Sequence, residues 1–161
     1  MTTFGTTRFS KAGSLRQRGF SMIEVLVTML VVSVGLLGIA GIIVTNMKNN
    51  QSSSARSQAS ILVNDMVDRM RANRGTAEVS PSPYQLALTD SPDAGAGVPG
   101  ADLTQWRQAV AAAVPSGLGA VSVDAATGNV TVTVQWNDSR AKGGGANAGL
   151  TAQQYIVETH L

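Results

Sequence analysis

Residues 16–47 read RQRGFSMIEVLVTMLVVSVGLLGIAGIIVTNM, a basic segment that leads into a long apolar run. From Val25 to Met47 it holds 23 residues without a charged side chain, which is enough for a helix that spans a bilayer. One acid, Glu24, stands directly before that uncharged run. Because a carboxylate in or beside hydrocarbon is energetically costly, such a residue usually has a function. Glu24 is therefore the first candidate functional residue.

The residues that surround Glu24 form a specific signature. A basic segment is followed by the hexapeptide GFSMIE at residues 19–24 and then by the apolar run. This arrangement resembles the amino terminus of type IV prepilins and pseudopilins. The resemblance implies that a membrane prepilin peptidase cuts the chain between Gly19 and Phe20. The same resemblance implies that the new amino terminus, at Phe20, is then N-methylated.

The resemblance continues beyond the apolar run and covers residues 15–74. Residues 49–74 read NNQSSSARSQASILVNDMVDRMRANR. Their RSQA and DMVDRMRAN segments are similar to the type IV pilus modification protein PilV family of minor pilins. No matching motif is found after Arg74.

Each part of the signature has a physical reason. Gly19 has no side chain to obstruct a protease, and cleavage after it would create a positively charged amine at Phe20. Four residues of helix rise about 6 Å, so Glu24 stays near the bilayer edge, in the first turn, where the helix dipole favours an anion. The resemblance implies that the cation for Glu24 is the Phe20 amine of a neighbouring subunit. The alternative is an ordinary signal anchor with an interfacial glutamate.

The charge of the chain is unevenly distributed. Residues 1–74 carry nine basic and three acidic side chains, whereas residues 75–161 carry three basic and seven acidic ones. Removing residues 1–19 would leave eight basic and ten acidic side chains. This mildly acidic balance argues against a nucleic-acid partner, which needs a phosphate-neutralising surface.

The chain has no cysteine, so no disulfide framework exists.

The flanking charges predict the orientation of the span. Residues 1–19 hold four basic side chains and no acid, whereas only Lys48 lies close behind the span. By the positive-inside rule, we expect the amino terminus in the cytoplasm and the carboxyl-terminal part in the periplasm. The apolar run is longer than a secretory signal, so we expect the anchor to be retained in the inner membrane. The resemblance implies later incorporation into a pilus at the cell surface.

A single long helix is predicted from Phe20 to Asn73, because residues 1–80 contain no proline. Its first half is apolar all round, and its second half is amphipathic. We expect the apolar stripe of the second half to pack on a sheet of the same chain. The stripe consists of Ala55, Ala59, Leu62, Val63, Met66, Val67 and Met70. Arg74 and Gly75 predict a basic last turn followed by a glycine cap.

This helix has two further features. On its polar face, Asp65 and Arg69 are four residues apart and predict an ion pair. Within the span, Gly35, Gly38 and Gly41 would allow close helix approach or local unwinding. The alternative is that a membrane helix simply tolerates glycine.

The exported part begins with a proline-rich segment. Residues 75–101 hold four prolines and four glycines and predict an irregular connecting loop. Residues 102–105 resemble a capping box that opens a short helix ending at about Val114. Trp106 and Val110 lie four residues apart on that helix and should face the sheet.

Three strand-like runs follow, at residues 120–124, 129–137 and 154–159. The second alternates, with valines and Trp136 on one face and polar residues on the other. The connection before it predicts a hairpin with Gly128 in a left-handed conformation. Residues 142–149 predict a flexible loop. The predicted fold class is α+β, type IV pilin-like: a long amino-terminal helix, its apolar half transmembrane, packed on a small antiparallel sheet.

The sequence predicts that the chain is divided into four segments. Residues 1–19 are the prepilin leader, 20–47 the transmembrane and filament-core helix, 48–74 the amphipathic half of the helix, and 75–161 the exported globular domain.

No set of side chains predicts catalysis. His160 is the sole histidine and is interpreted as a strand-end residue. Asp90, Asp93 and Asp102 share a segment rich in glycine and proline, but their spacing fits no calcium-binding loop. Residues 143–145 lack the surroundings of a phosphate loop. We therefore expect no enzyme, no cofactor and no metal site.

The resemblance implies a minor type IV pilin that acts in the initiation and assembly of pili. The implied partners are other minor pilins, the major pilin, the prepilin peptidase, the inner-membrane assembly platform and membrane lipid. One alternative is a minor pseudopilin of a type II secretion system, with the same processing. Another is a module at the pilus tip that binds DNA or host surfaces.

Overall fold

A computed structural model describes residues 19–141 and 149–161 of the chain. The predicted leader, apart from Gly19, and the predicted flexible loop at 142–149, apart from Gly149, lie outside these residues. The described elements are helices α1 (Met22–Ala72), α2 (Arg74–Ala77) and α3 (Gly97–Ala113) and strands β1 (Leu118–Asp124), β2 (Asn129–Trp136) and β3 (Gln153–His160). The fold is α+β and pilin-like, with a long amino-terminal helix that packs on a three-stranded antiparallel sheet.

Helix α1 begins two residues later and ends one residue earlier than the sequence predicts. The glycine cap at its end is wrong: α1 stops at Ala72, and Gly75 lies inside the short helix α2 with an ordinary helical backbone. The side chain of Asn73, between the two helices, accepts a hydrogen bond from Thr76 and donates one to the hydroxyl of Tyr84. The backbone continues from α1 into α2, where the amides of Thr76 and Ala77 donate to the carbonyl of Asn73.

Contacts along the chain divide it into two units, Met1–Ala40 and Gly41–Leu161. In the first unit, the described residues 19–40 are the start of α1 and the three residues that lead into it, and all of them are exposed. In the second unit, the remainder of α1 joins α2, α3 and the sheet around one hydrophobic core.

The three strands form an antiparallel sheet in the order β1-β2-β3. In the register, Val121 lies opposite Val132, which in turn lies opposite Val157. Because β2 is the central strand and side chains alternate, its valines and Trp136 are buried on one face, as predicted. The hairpin between β1 and β2 is also confirmed, with φ of +72° at Gly128.

The core lies between α1, α3 and the buried face of the sheet. The stripe predicted on α1 is buried, except that Leu62 is only half-buried. Helix α3 contributes Leu103, Trp106 and Val110. The indole nitrogen of Trp106 donates a hydrogen bond of 2.8 Å to the carbonyl of Leu62, so α3 is joined to α1 by a polar contact as well as by packing.

The start of α3 corrects the sequence analysis. The helix begins at Gly97, so residues 102–105 lie within it and are no capping box. Pro99 is compatible with this start because the first turn of a helix leaves its N–H groups without intrahelical partners. Gly100 is also required here, because an added Cβ would collide with the backbone of Asp93.

The connecting segment is more ordered than the predicted irregular loop at 75–101. Helices occupy both of its ends, and Leu86 pairs with Val121 through two backbone hydrogen bonds of 2.9 Å. Tyr84 and Leu86 are buried in the core. The burial of these two side chains and the pairing of Leu86 with Val121 hold the segment against the edge of β1.

Candidate processing and assembly site

The candidate site lies at the amino-terminal end of α1. The carbonyl of Ser21 accepts hydrogen bonds from the backbone amides of Glu24 at 3.0 Å and Val25 at 3.2 Å, which fixes the first turn. Gly19 and Phe20 precede the helix and belong to no regular secondary structure, and Phe20 is 85% exposed. A chain of this kind, with an open backbone before a helix, is accessible to a protease.

Glu24 lies in the first turn of α1 and is exposed. Its carboxylate forms no salt bridge with any residue in 19–141 or 149–161. The unpaired amides of the first turn favour a negative charge at this position. An exposed carboxylate at a helix start can accept hydrogen bonds or pair with a cation from another molecule.

The remainder of the apolar run has no partner within the described part of the chain. Every residue from Gly19 to Met47 is exposed, although the run is almost wholly apolar. Its hydroxyl groups are satisfied within the helix: Thr28, Ser33 and Thr45 donate to backbone carbonyls three or four residues earlier, at 2.7 to 3.0 Å. Such internal hydrogen bonding suits a helix in a medium without water.

Among the described helices, α1 is the one with the length and the apolar composition that a membrane span requires. An added Cβ at Gly35, Gly38 or Gly41 would meet no atom within 4 Å. This space agrees with a close approach of another helix and equally with a membrane helix that simply tolerates glycine.

The other sequence candidates are not assembled into a site. Within the described residues, no three His, Cys, Asp or Glu side chains are grouped so that they could hold a metal ion. The Asp102 carboxylate is instead bound by the hydroxyl of Tyr84 at 2.8 Å and by Arg69 at 3.3 Å. His160 is the last residue of β3, as predicted, and its ring lies next to Gly128.

A second polar cluster, which the sequence analysis did not detect, lies just after the apolar run. Ser52 on α1 donates a hydrogen bond of 2.7 Å to Oδ2 of the buried Asp138. Lys48 and Arg140 line a groove beside this contact. Ser52 and Asp138, like Lys48 and Arg140, are too far apart in the sequence for any local pattern to connect them. The sequence analysis therefore treated Lys48 only as a flanking charge.

Comparison with known proteins agrees with the amino-terminal signature. Residues 14–40 match the family described as the prokaryotic N-terminal methylation motif. No curated protein and no solved structure matches the chain. The matched residues include Gly19, Phe20 and Glu24 and cover the apolar run as far as Ala40.

The motif and the fold together support a type IV pilin-like or pseudopilin subunit. The motif implies processing by a prepilin peptidase and assembly with other pilins, and with the apolar start of α1 it indicates membrane anchoring. It indicates a structural subunit rather than an enzyme.

Proposed function

We propose that this chain is a minor type IV pilin, a structural subunit that acts in the initiation and assembly of type IV pili. One observation carries the proposal. The methylation motif at residues 14–40 leads into a helix that is exposed and apolar at its start and packed into a globular unit further on. A subunit of a helical filament needs both: a free apolar helix for the filament core and a folded unit for its surface.

The processing step would act between Gly19 and Phe20. Both residues are exposed, and an added Cβ at Gly19 would meet no atom within 4 Å. Cleavage there would remove the basic residues of the leader and expose the Phe20 amine. N-methylation of that amine would keep its positive charge at neutral pH.

The assembly step would use Glu24. When apolar helices pack side by side, water is excluded, and a carboxylate among them then needs a cation. The Phe20 amine of a neighbouring subunit is the cation that the proposal assigns to it. The exposed position of Glu24 and the lack of a salt bridge to a described residue are compatible with this role.

The proposed topology follows from the flanking charges. The amino terminus would lie in the cytoplasm and the globular unit in the periplasm, because the basic residues are concentrated before the span. We place the chain among the PilV-type minor pilins, on the resemblance of residues 49–74. Its partners would be other minor pilins, the major pilin, the prepilin peptidase and the inner-membrane assembly platform.

Mass spectrometry of the protein from purified, sheared pili tests this proposal. We expect a chain that begins at Phe20 and carries one methyl group on its amine. A Gly19→Val variant should remain uncut in the membrane fraction, because a β-branched side chain obstructs the protease. A Gly75→Val variant is the matched control, since it lies in an exposed helix far from the cut, and it should be processed normally.

Two results would contradict the proposal. A functional chain that still carries residues 1–19 would exclude prepilin processing. A processed and methylated chain that occurs in the periplasm and never in sheared fibres would instead identify a pseudopilin of a type II secretion system.

A further inference from the structure

One face of α1 changes character where the apolar run ends. Val44, Lys48 and Ser52 are four residues apart and therefore share this face. Val44 is half-exposed, and Met47 beside it is 60% exposed. The face thus presents apolar surface, then a cation, then a hydroxyl group, in the direction away from the span.

The turn at residues 137–141 brings a second cation to this face. Ser52 holds the turn through its hydrogen bond to Asp138, across 86 positions of sequence. The amide of Asn137 donates to the carbonyl of Pro115 at 2.8 Å, and the amide of Ala141 donates to that of Asp138 at 2.9 Å. These contacts fix the backbone on both sides of Arg140.

The result is a groove of about 350 Å³ whose lining is partly apolar and partly charged. Val44 and Met47 are its apolar residues, and Lys48 and Arg140 are its two charged residues. Gln51 and Ser139 complete the lining. This composition suits a ligand that has an anionic head and an apolar tail.

The charge of this surface is positive. Neither Lys48 nor Arg140 forms a salt bridge with a residue in the described ranges. The one acid nearby is Asp138, which lines the adjoining cavity together with both cations and is bound to Ser52. Two cations against one hydrogen-bonded acid leave a net charge that attracts an anion.

We propose that this groove binds the phosphate head group of an anionic phospholipid, with an acyl chain along Val44 and Met47. The proposal rests on the membrane anchoring of the proposed function. A helix of 23 uncharged residues is about 35 Å long, slightly more than the hydrocarbon core of about 30 Å. With Glu24 at one edge of the bilayer, Lys48 therefore lies at the depth of the opposite head groups.

The two cations have complementary roles in this site. Arg140 presents a planar guanidinium that can donate two hydrogen bonds to one phosphate, whereas Lys48 supplies a mobile point charge. Basic surface beside an apolar helix is the general form of anionic lipid recognition. Ser52 is a positioning residue, because it orients the turn that carries Arg140.

Native mass spectrometry of the full chain, purified in detergent and stripped of lipid, tests the proposal. Phosphatidylglycerol and phosphatidylcholine are titrated separately, and we expect one phosphatidylglycerol to bind about tenfold more tightly. A Lys48→Gln/Arg140→Gln variant should lose about tenfold or more of that affinity. Arg56→Gln removes an exposed cation from the same helix outside the groove and is the matched control.

Further measurements separate the sources of binding. Soluble glycerol phosphate should compete weakly, since it lacks the acyl chain. Ser52→Ala should weaken binding of phosphatidylglycerol with both cations intact, and Lys48→Arg should retain it. Thermal unfolding of each variant establishes that it is folded.

Equal affinity for the two lipids would overturn the proposal, as would equal affinity of the double variant and the Arg56→Gln control. Full competition by glycerol phosphate would identify a site for free phosphate instead. These readouts need neither cleavage nor filaments. A failure here with normal incorporation into pili would therefore leave the proposed function unchanged, and the mass spectrometry of sheared pili tests that function separately.

Discussion

The hydroxyl group of Tyr84 donates a hydrogen bond of 2.8 Å to Oδ2 of Asp102. Tyr84 is fully buried, and its oxygen also accepts a hydrogen bond of 3.1 Å from Asn73. Arg69 contacts the other oxygen of the Asp102 carboxylate and pairs with Asp65 at 3.0 Å. This network joins α1, the connecting segment and α3, so Asp102 has a packing role in place of the predicted helix cap.

Replacing Tyr84 by phenylalanine should lower the free energy of unfolding by about 1–3 kcal/mol, because the Asp102 carboxylate loses a buried donor. Denaturant unfolding of the detergent-solubilised chain measures this change. Tyr155→Phe is the matched control, since Tyr155 is only half-buried and its hydroxyl makes no hydrogen bond to a described residue. An equal effect of the two substitutions would show that the network contributes no specific stability.

The same residue predicts a response to alkaline pH. Burial raises the pKa of Tyr84 above its ordinary value of 10.0; the Asn73 hydrogen bond lowers it, and Asp102 raises it further. Because the folded pKa exceeds the unfolded one, the stabilising contribution is complete below pH 10.0 and is lost as pH rises through the folded pKa. Unfolding at pH 9 and at pH 11 should therefore differ more for the wild type than for Tyr84→Phe. Identical losses in both proteins would refute this assignment.

The hairpin between β1 and β2 predicts a loss of stability at acid pH, through the carboxyl group of Asp124. A hydrogen bond of 2.7 Å from the hydroxyl of Thr127 lowers the pKa of Asp124 below its ordinary value of 3.8. A second hydrogen bond, from the backbone amide of Ala126, lowers this pKa to a smaller extent. The associated stability is present above pH 3.8 and is lost as pH falls through the lower, folded pKa. Thr127→Val should raise the pKa of Asp124 toward its ordinary value, as followed by NMR of the side-chain carboxyl. No change in that titration would contradict the prediction.

Close packing between β1 and α3 predicts a strong effect at Gly119. An added Cβ there would collide with the six-membered ring of Trp106, which is fully buried and cannot move freely. Gly119→Ala should therefore destabilise the protein by about 1–3 kcal/mol. Gly75→Ala is the control, because a Cβ at that helical position meets no atom within 4 Å. We expect the control to be neutral or slightly stabilising, and a reversed order of the two would contradict the packing described.

The proposed role of Glu24 predicts a defect in assembly without a defect in processing. Glu24→Ala should be cut between Gly19 and Phe20 like the wild type, yet it should be depleted from sheared pili. The physical reason is that the subunit loses the anion that pairs with the Phe20 amine. Immunoblots of membranes and of sheared pili measure the two steps. Asp68→Ala removes an exposed acid from the same helix and is the control, and wild-type levels of Glu24→Ala in pili would exclude the role.

Local patterns in the sequence predicted most of the fold. The helical period of the stripe from Ala55 to Met70 and the alternation in β2 each depend on a few neighbouring residues, and both are confirmed. The start of α3 could not be predicted in this way. Asp102 carries the side chain of a helix cap, but its partners, Tyr84 and Arg69, lie 18 and 33 residues away in sequence.

The amino-terminal signature is likewise local, so sequence alone identified Gly19, Phe20 and Glu24 as candidates. Covalent chemistry at a cleavage point depends on adjacent residues and on a flexible backbone, and it needs no folded surroundings. The roles of these three residues remain predictions, and the proposed experiments are the means of testing them.

Periodicity and the absence of proline over short distances were enough to predict the long helix, its apolar and amphipathic halves, and the strands. That Arg140 and Lys48 line one groove and that Asp102 binds Tyr84 is known only from the folded chain. These contacts join segments that are far apart in the chain, and chain folding brings them together through the burial of apolar surface. Burial carries no information about which polar groups will meet at its edge.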